Sequence, residues 1–134
     1  PETQSVLRRL DGDLAEIFSD AADGHLTPGA MRWIDEPAAC VVLAAEGYPE
    51  SPRVGDEITG VDRAESQPGV TVFHAGTRVD GSSLLTSGGR VLSVTAIGDD
   101  LADAVQRAYR AADEIVFAGA HRRSDIGADT LKQR

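Results

Sequence analysis

Few stretches of this sequence combine side chains and backbone suited to chemistry, and the clearest would hold an anion. Thr86-Ser87-Gly88-Gly89-Arg90 sets two hydroxyls and two glycines ahead of an arginine. Glycines let backbone N–H groups approach a ligand closely, hydroxyls add donors, and a guanidinium grips a phosphate with two parallel hydrogen bonds. The same run also reads as a hairpin loop whose glycines serve backbone angles and whose Arg90 reaches into solvent. Arg122-Arg123 is a second candidate anion contact or, with Asp125 close by, a surface ion pair. His74, at the end of an apolar run, reads as pocket lining or as a satisfied strand-end histidine.

No residue is assigned a catalytic role. His25, His74 and His121 are far apart and lack metal-ligand spacing, so no metal site is expected from them. No Gly-x-Ser-x-Gly elbow supports nucleophilic hydrolysis. The acidic pairs Asp35-Glu36, Asp56-Glu57, Asp99-Asp100 and Asp113-Glu114 fall where capping and solvated charge explain them. The lone Cys40 cannot form an internal disulfide and, inside an apolar run, reads as a buried inert thiol. Twelve arginines accompany a single lysine, Lys132, and no P-loop is present, which argues against a self-contained ATP site.

The elements that must position these residues follow from periodicity. Leu7, Leu10, Leu14, Ile17, Phe18 and Ala21 predict one helix over Ser5 to Ala22, weakened at Gly12 and stopped near Gly24. Ala38 to Ala45 predicts a buried strand closed by Gly47-Tyr48-Pro49, and Glu57 to Gly60 a short strand. Val70 to Val79 predicts another, turning at Asp80-Gly81 into Ser82 to Thr86 as a hairpin. Arg90 to Ile97 alternates as a further strand. Asp99 or Asp100 caps a long helix with a stripe from Leu101 to Val116, ended by Gly119, and a partly helical end follows. The expected fold class is α+β: an N-terminal helix, a mainly antiparallel sheet with hairpins, and a long C-terminal helix packed on the sheet.

At 134 residues the chain has room for one compact domain and an attached helix, not two large domains. Its net charge of −9 repels phosphate backbones and anionic lipid, so neither nucleic acid nor membrane is an expected partner. The longest apolar run is far too short to cross a bilayer and no targeting signal opens the chain; a cytoplasmic location is expected.

Several stretches together resemble the C-terminal portion of the phosphoribosylamine–glycine ligase (glycinamide ribonucleotide synthetase) family of the ATP-grasp superfamily. Pro1-Glu2-Thr3-Gln4 resembles the end of that family's Arg-x-Gly-Asp-Pro-Glu signature, and Leu10-Asp11-Gly12-Asp13-Leu14 its following helix. The run Cys40 to Pro49, the segments Gly55 to Gly60 and Val72 to Thr77, then Gly88 to Leu92, Val94 to Gly98 and Asp125-Ile126-Gly127 continue in the family's order. The resemblance implies a ligase that joins glycine to 5-phosphoribosylamine with ATP and Mg²⁺ (or Mn²⁺) in purine biosynthesis. It implies that residues 1–24 are the terminal helix of the ATP-grasp unit, 25–36 a linker and 37–134 a small C-terminal α+β domain. The partners implied are the ATP-grasp and N-terminal domains of the same protein. By the same resemblance Pro1 and Glu2 lie near the glycine and metal site, and Gly88, Gly89 and Arg90 face the substrate cleft. This piece alone is then expected to be inactive and to hold no cofactor. The first helix should dock on the strands or self-associate to cover its stripe. The alternative is a stand-alone, non-enzymatic module that binds a ligand or partner.

Overall fold

The computed structural model of this chain describes residues 2–132. Its centre is a three-stranded antiparallel sheet made of β3 (Ala38–Ala44), β4 (Val70–His74) and β7 (Arg90–Ile97), with β7 in the middle. Val41 faces Val94, Leu43 faces Leu92 and Ala39 faces Ala96 across the β3–β7 ladder, while Val72 pairs with Val94 on the other side. Residues directly opposite in a ladder share a face. These side chains, all but removed from water, therefore form one apolar layer. Against β3 and β7 lies α4 (Leu101–Glu114), which meets the core through the fully buried Ala104, Ala108, Ala111 and Ala112. Alanine is both the strongest helix former and small enough for close approach to a sheet.

The expected cap of α4 is present: the Asp100 carboxylate accepts the Asp103 N–H at 2.8 Å. The helix stops at Glu114, earlier than Gly119, because Ile115 turns extended. Ile115 and Phe117 then enter the core, and Val116 exchanges both backbone hydrogen bonds with Thr59 at 2.9 and 3.0 Å. The short strand expected at Glu57 to Gly60 is reduced to two isolated bridges, Glu57 to Leu85 and Thr59 to Val116. A helix that the periodicity did not announce, α3 (Val61–Glu65), follows; it is five residues long and buries only Ala64, too little for a stripe to register.

The single helix expected over Ser5 to Ala22 is two. After α1 (Glu2–Arg9) the chain extends through β1 (Leu10–Asp11), and α2 (Leu14–Ala22) begins afresh. The apolar period runs through this break, but Asp13 overrides it by accepting the N–H groups of Ala15 and Glu16, an N-cap that needs extended backbone. β1 pairs with β2 (Arg32–Trp33), inside the stretch expected as a linker, and the Ile34 N–H donates to Arg9 O at 2.9 Å. Helix α1 lies against β3 and β7. Only Ile17 of α2 is buried, and Phe18 is 63% exposed.

The strand expected over Val70 to Val79 divides at Ala75-Gly76 into β4 and β5 (Thr77–Asp80). Strand β5 pairs only with β6 (Ser83–Thr86), as the Asp80-Gly81 hairpin. A short helix, α5 (Ala128–Lys132), ends the described chain. Among the described residues no helix is long and apolar enough to cross a membrane.

Candidate functional site

The segment Ser87 to Arg90 runs from β6 into β7 and is held at both ends by backbone. Thr86 is fully buried; its hydroxyl accepts the Asp56 N–H at 3.0 Å, and its own N–H donates to Asp56 O at 2.8 Å. The Ser87 N–H donates to Gly76 O at 2.7 Å, and Gly89 O accepts the Ala45 N–H at 2.9 Å. Neither Gly88 nor Gly89 has a positive φ, so backbone angle is not the reason for either glycine. Close approach is: a Cβ on Gly88 would lie 3.2 Å from Gly76 Cα, and a Cβ on Gly89 would lie 2.4 Å from Cδ2 of Tyr48.

Strict alternation along β7 would place Arg90 on the core face with Leu92. The ladder prevents this. Leu43 pairs with Leu92, but the next residue, Ala44, pairs with Arg90, so Val91 is an extra residue in β7. This β-bulge flips the parity and sends Arg90 to the opposite face, the side of Cys40, Val42 and Ala44. Arg90 is exposed there and lines a groove of about 470 Å³. The apolar lining comes from Cys40, Val42 and Ala44 of β3 with Ile126, and Tyr48 joins from the turn after β3. His121, Arg122 and Arg123 supply the remaining polar lining. Cys40 is buried, as its apolar setting predicted, with 7% of its surface exposed.

The cations of the groove differ in their engagement. Arg122 is paired with Asp113 and lies 5.6 Å above the Tyr109 ring. Arg123 grips Asp125 in a two-pronged pair at 2.8 and 2.6 Å. The Tyr109 hydroxyl donates to Arg123 O at 2.8 Å and accepts the Ile126 N–H at 3.1 Å, tying this segment to α4. Both arginines thus take the ion-pair alternative. Arg90 takes part in none of the ion pairs found among the described residues. A groove of similar size on the outside of α4 sets Arg107 and Arg110 beside Asp103 and Glu114, so its charges offset one another.

Arg123, chiefly by its hydrogen bonds, holds the Asp125 carboxyl below its ordinary value against a smaller opposing effect of desolvation. A carboxyl depressed in the folded state adds stability above its unfolded pKa and loses it as pH falls through the folded pKa. Acidification to below the ordinary carboxylate range is therefore expected to free the 121–126 segment, read as a lower protection factor of the Ile126 amide relative to its intrinsic exchange rate at the same pH. In Asp125→Asn that amide should already exchange fast at neutral pH; equal protection in both proteins there would contradict the assignment.

Of the residues singled out by sequence, the structure brings Arg90, Cys40, His121 and the Arg122-Arg123 pair to the groove, while Gly89 lies against Tyr48 and Gly88 against Gly76. His74 is placed elsewhere: its Nδ1 is 3.0 Å from the Thr77 hydroxyl, the strand-end alternative. Glu2 is exposed in the first turn of α1 and does not line the groove, and Pro1 lies outside the described residues. The acidic pairs serve as caps and ion-pair partners: Asp56 binds Arg53, Asp113 binds Arg122 and Glu114 binds Arg63. Among the described residues no group of three His, Cys, Asp or Glu side chains is placed to hold a metal ion. Tyr48 and Ile126 were not singled out as groove residues by sequence; only the contact across to Gly89 and the folding back of the 121–126 segment bring them there.

Over residues 38–129 the chain matches the family described as phosphoribosylglycinamide synthetase, C domain. The chain belongs to this family. Its relatives in that family include the phosphoribosylamine–glycine ligase of Streptomyces coelicolor, 50% identical over 96% of this chain and 32% of that protein. The ligase of Synechocystis sp. is 47% identical over 98% of this chain and 31% of its own length. The synthetase C-domain chain therefore spans about a third of the curated relatives it matches. The crystal structure of phosphoribosylamine–glycine ligase from Thermotoga maritima matches with a TM-score of 0.69 at 33% identity, covering 84% of this chain and 27% of that one. The α+β architecture is that of the synthetase C domain.

Proposed function

We propose that this chain is the C-terminal part of a ligase that joins glycine to 5-phosphoribosylamine at the expense of ATP. The observation that carries the reading is the identity to phosphoribosylamine–glycine ligases along essentially the whole chain. In the reaction, a carboxylate oxygen of glycine takes the terminal phosphoryl group of ATP, releasing ADP. The amine of phosphoribosylamine then attacks the carbonyl carbon, the bond to the phosphate oxygen breaks, and the amine loses a proton to give the amide. A free carboxylate is a poor electrophile, and phosphorylation supplies the leaving group.

Within this chain the groove beside Arg90 fits the phosphate of phosphoribosylamine or the charge of the transferred phosphoryl group, with the Gly88-Gly89 backbone leading into Arg90. Arg90 is the cation there without a carboxylate partner among the described residues, and it shares the groove with the apolar side chains of Cys40, Val42 and Ala44. The described residues around the groove do not fit a nucleotide or a divalent cation: the acidic side chains nearest it are engaged with arginines, and Lys132 lies in α5. ATP and Mg²⁺ (or Mn²⁺) are therefore read as held by the preceding ATP-grasp part of the ligase, the partner against which this domain closes. A cytoplasmic location accords with such a biosynthetic role. Full-length protein containing this chain should release ADP only when glycine and phosphoribosylamine are both present, and the chain alone should release none. ADP release by the isolated chain, or release from the whole protein without glycine, would overturn the reading.

A further inference from the structure

We propose that Tyr48 is a positioning residue for Arg90: the plane of its ring, seated on the backbone of Gly89, fixes where the guanidinium enters the groove. The inference rests on the reading of Arg90 as the contact for the substrate's anionic group. The segment carrying Arg90 is confined from two sides. On one side Gly76 brings bare backbone against it, where a Cβ would lie 2.8 Å from Gly88 Cα and from Arg90 O. On the other side the Tyr48 ring occupies the space of a Gly89 side chain, with Cδ2 2.4 Å and Cε2 3.1 Å from an ideal Cβ; the next atom, Pro52 Cβ, is 3.5 Å away.

The ring can act as a wall because its own loop is fastened independently of it. The Tyr48 N–H donates to Ala45 O at 3.1 Å, the Ser51 N–H to Gly47 O at 2.9 Å and the Arg53 N–H to Glu46 O at 2.8 Å. The Arg53 guanidinium then bonds both Glu46 and Asp56, and Asp56 is locked to Thr86 immediately before the glycine segment. Loop and segment are thus buckled at Thr86 and at Gly89, with the ring pressed between. Tyr48 is 39% exposed, and its hydroxyl makes no hydrogen bond among the described residues. The ring, not the hydroxyl, carries the proposed role.

The test is steady-state kinetics of the full-length ligase with phosphoribosylamine varied. Tyr48→Ala is expected to raise KM for phosphoribosylamine about tenfold with little change in kcat, since a guanidinium displaced by a fraction of an ångström loses binding geometry. Restoring the ring as Tyr48→Phe should rescue the wild-type KM. Gly89→Ala, which drives a methyl into the ring, should raise KM at least as much. The double variant Tyr48→Ala/Gly89→Ala should be no worse than Tyr48→Ala, because with the ring gone the new Cβ meets only Pro52 at ordinary contact distance. Should Tyr48→Ala fail to fold, Tyr48→Leu, which keeps apolar bulk without the plane, carries the same expectation. An Arg90→Ala arm separates the two levels of the argument. If Arg90→Ala raises KM while Tyr48→Ala leaves it unchanged, or if Phe does not rescue, or if the double variant is additive, the positioning role is overturned and the Arg90 reading stands. If Arg90→Ala changes neither KM nor kcat, the reading of Arg90 fails and the positioning role with it.

Discussion

Gly60→Ala is expected to destabilise the domain by about 3 kcal/mol or more, the sum of two separate penalties. Gly60 has φ +87, a left-handed conformation in which a side chain is strained, and it opens α3. A Cβ there would also lie 1.8 Å from Glu114 O and 2.8 Å from Glu114 C, backbone atoms at the end of α4 that cannot swing aside. The clash pushes apart α3 and α4 where the Thr59–Val116 bridge joins them. Gly55 isolates the first penalty, because its φ of +91 is as unfavourable for alanine but nothing lies within 4 Å of its Cβ position. Gly55→Ala should cost only about 1–2 kcal/mol of backbone strain. Denaturant titration of both variants checks the difference, and equal midpoints would mean that the α3–α4 junction yields without resistance.

Leu92→Ala is expected to cost about 2–5 kcal/mol, the range for removing a buried leucine side chain and leaving a cavity. Leu92 is wholly enclosed, on the central strand, with Leu43 opposite on one side and His74 on the other. Strands on both flanks prevent the gap from closing by a shift of β7 alone. Val79→Ala is the matched control, since that side chain on the β5–β6 hairpin is 73% exposed and its loss should change stability by less than about 0.5 kcal/mol. A Leu92→Ala protein with a near wild-type denaturation midpoint would show that the sheet repacks freely.

What the sequence made legible, and what it did not, divides by the range of the interactions. Strands β3 and β7 and helix α4 follow from local periodicity because each buries a continuous layer or stripe, and Asp100 marks the start of α4 within one turn. The false continuity of Ser5 to Ala22 arose because a stripe of leucines is blind to a cap: Asp13 needs extended backbone, and Gly12 beside it offers little helical preference to oppose that. The break at Gly76 was hidden for the opposite reason. It is imposed by Gly88 and Arg90, distant in sequence, meeting Gly76 backbone to backbone. At the groove, residue type alone pointed to Arg90 and to Arg122-Arg123, but could not decide which cations were already paired. Only the placement of Asp113 and Asp125 separates them. Tyr48 carries no local mark of its task, because the space it fills is defined by a missing side chain on another element.

The extra residue Val91 has a consequence for how this stretch can change over time. Side chains between Arg90 and Leu92 can be exchanged for others of similar bulk while the guanidinium keeps its side of the sheet. Loss of Val91 would remove the bulge yet keep the face: Arg90 would become the direct neighbour of Leu92, still opposite Ala44, and simple alternation would hold the guanidinium on the groove side. What the bulge adds is therefore not the side on which the charge emerges but a local bend in the strand and one more enclosed valine, so losing Val91 forfeits buried apolar surface while leaving the guanidinium on its face.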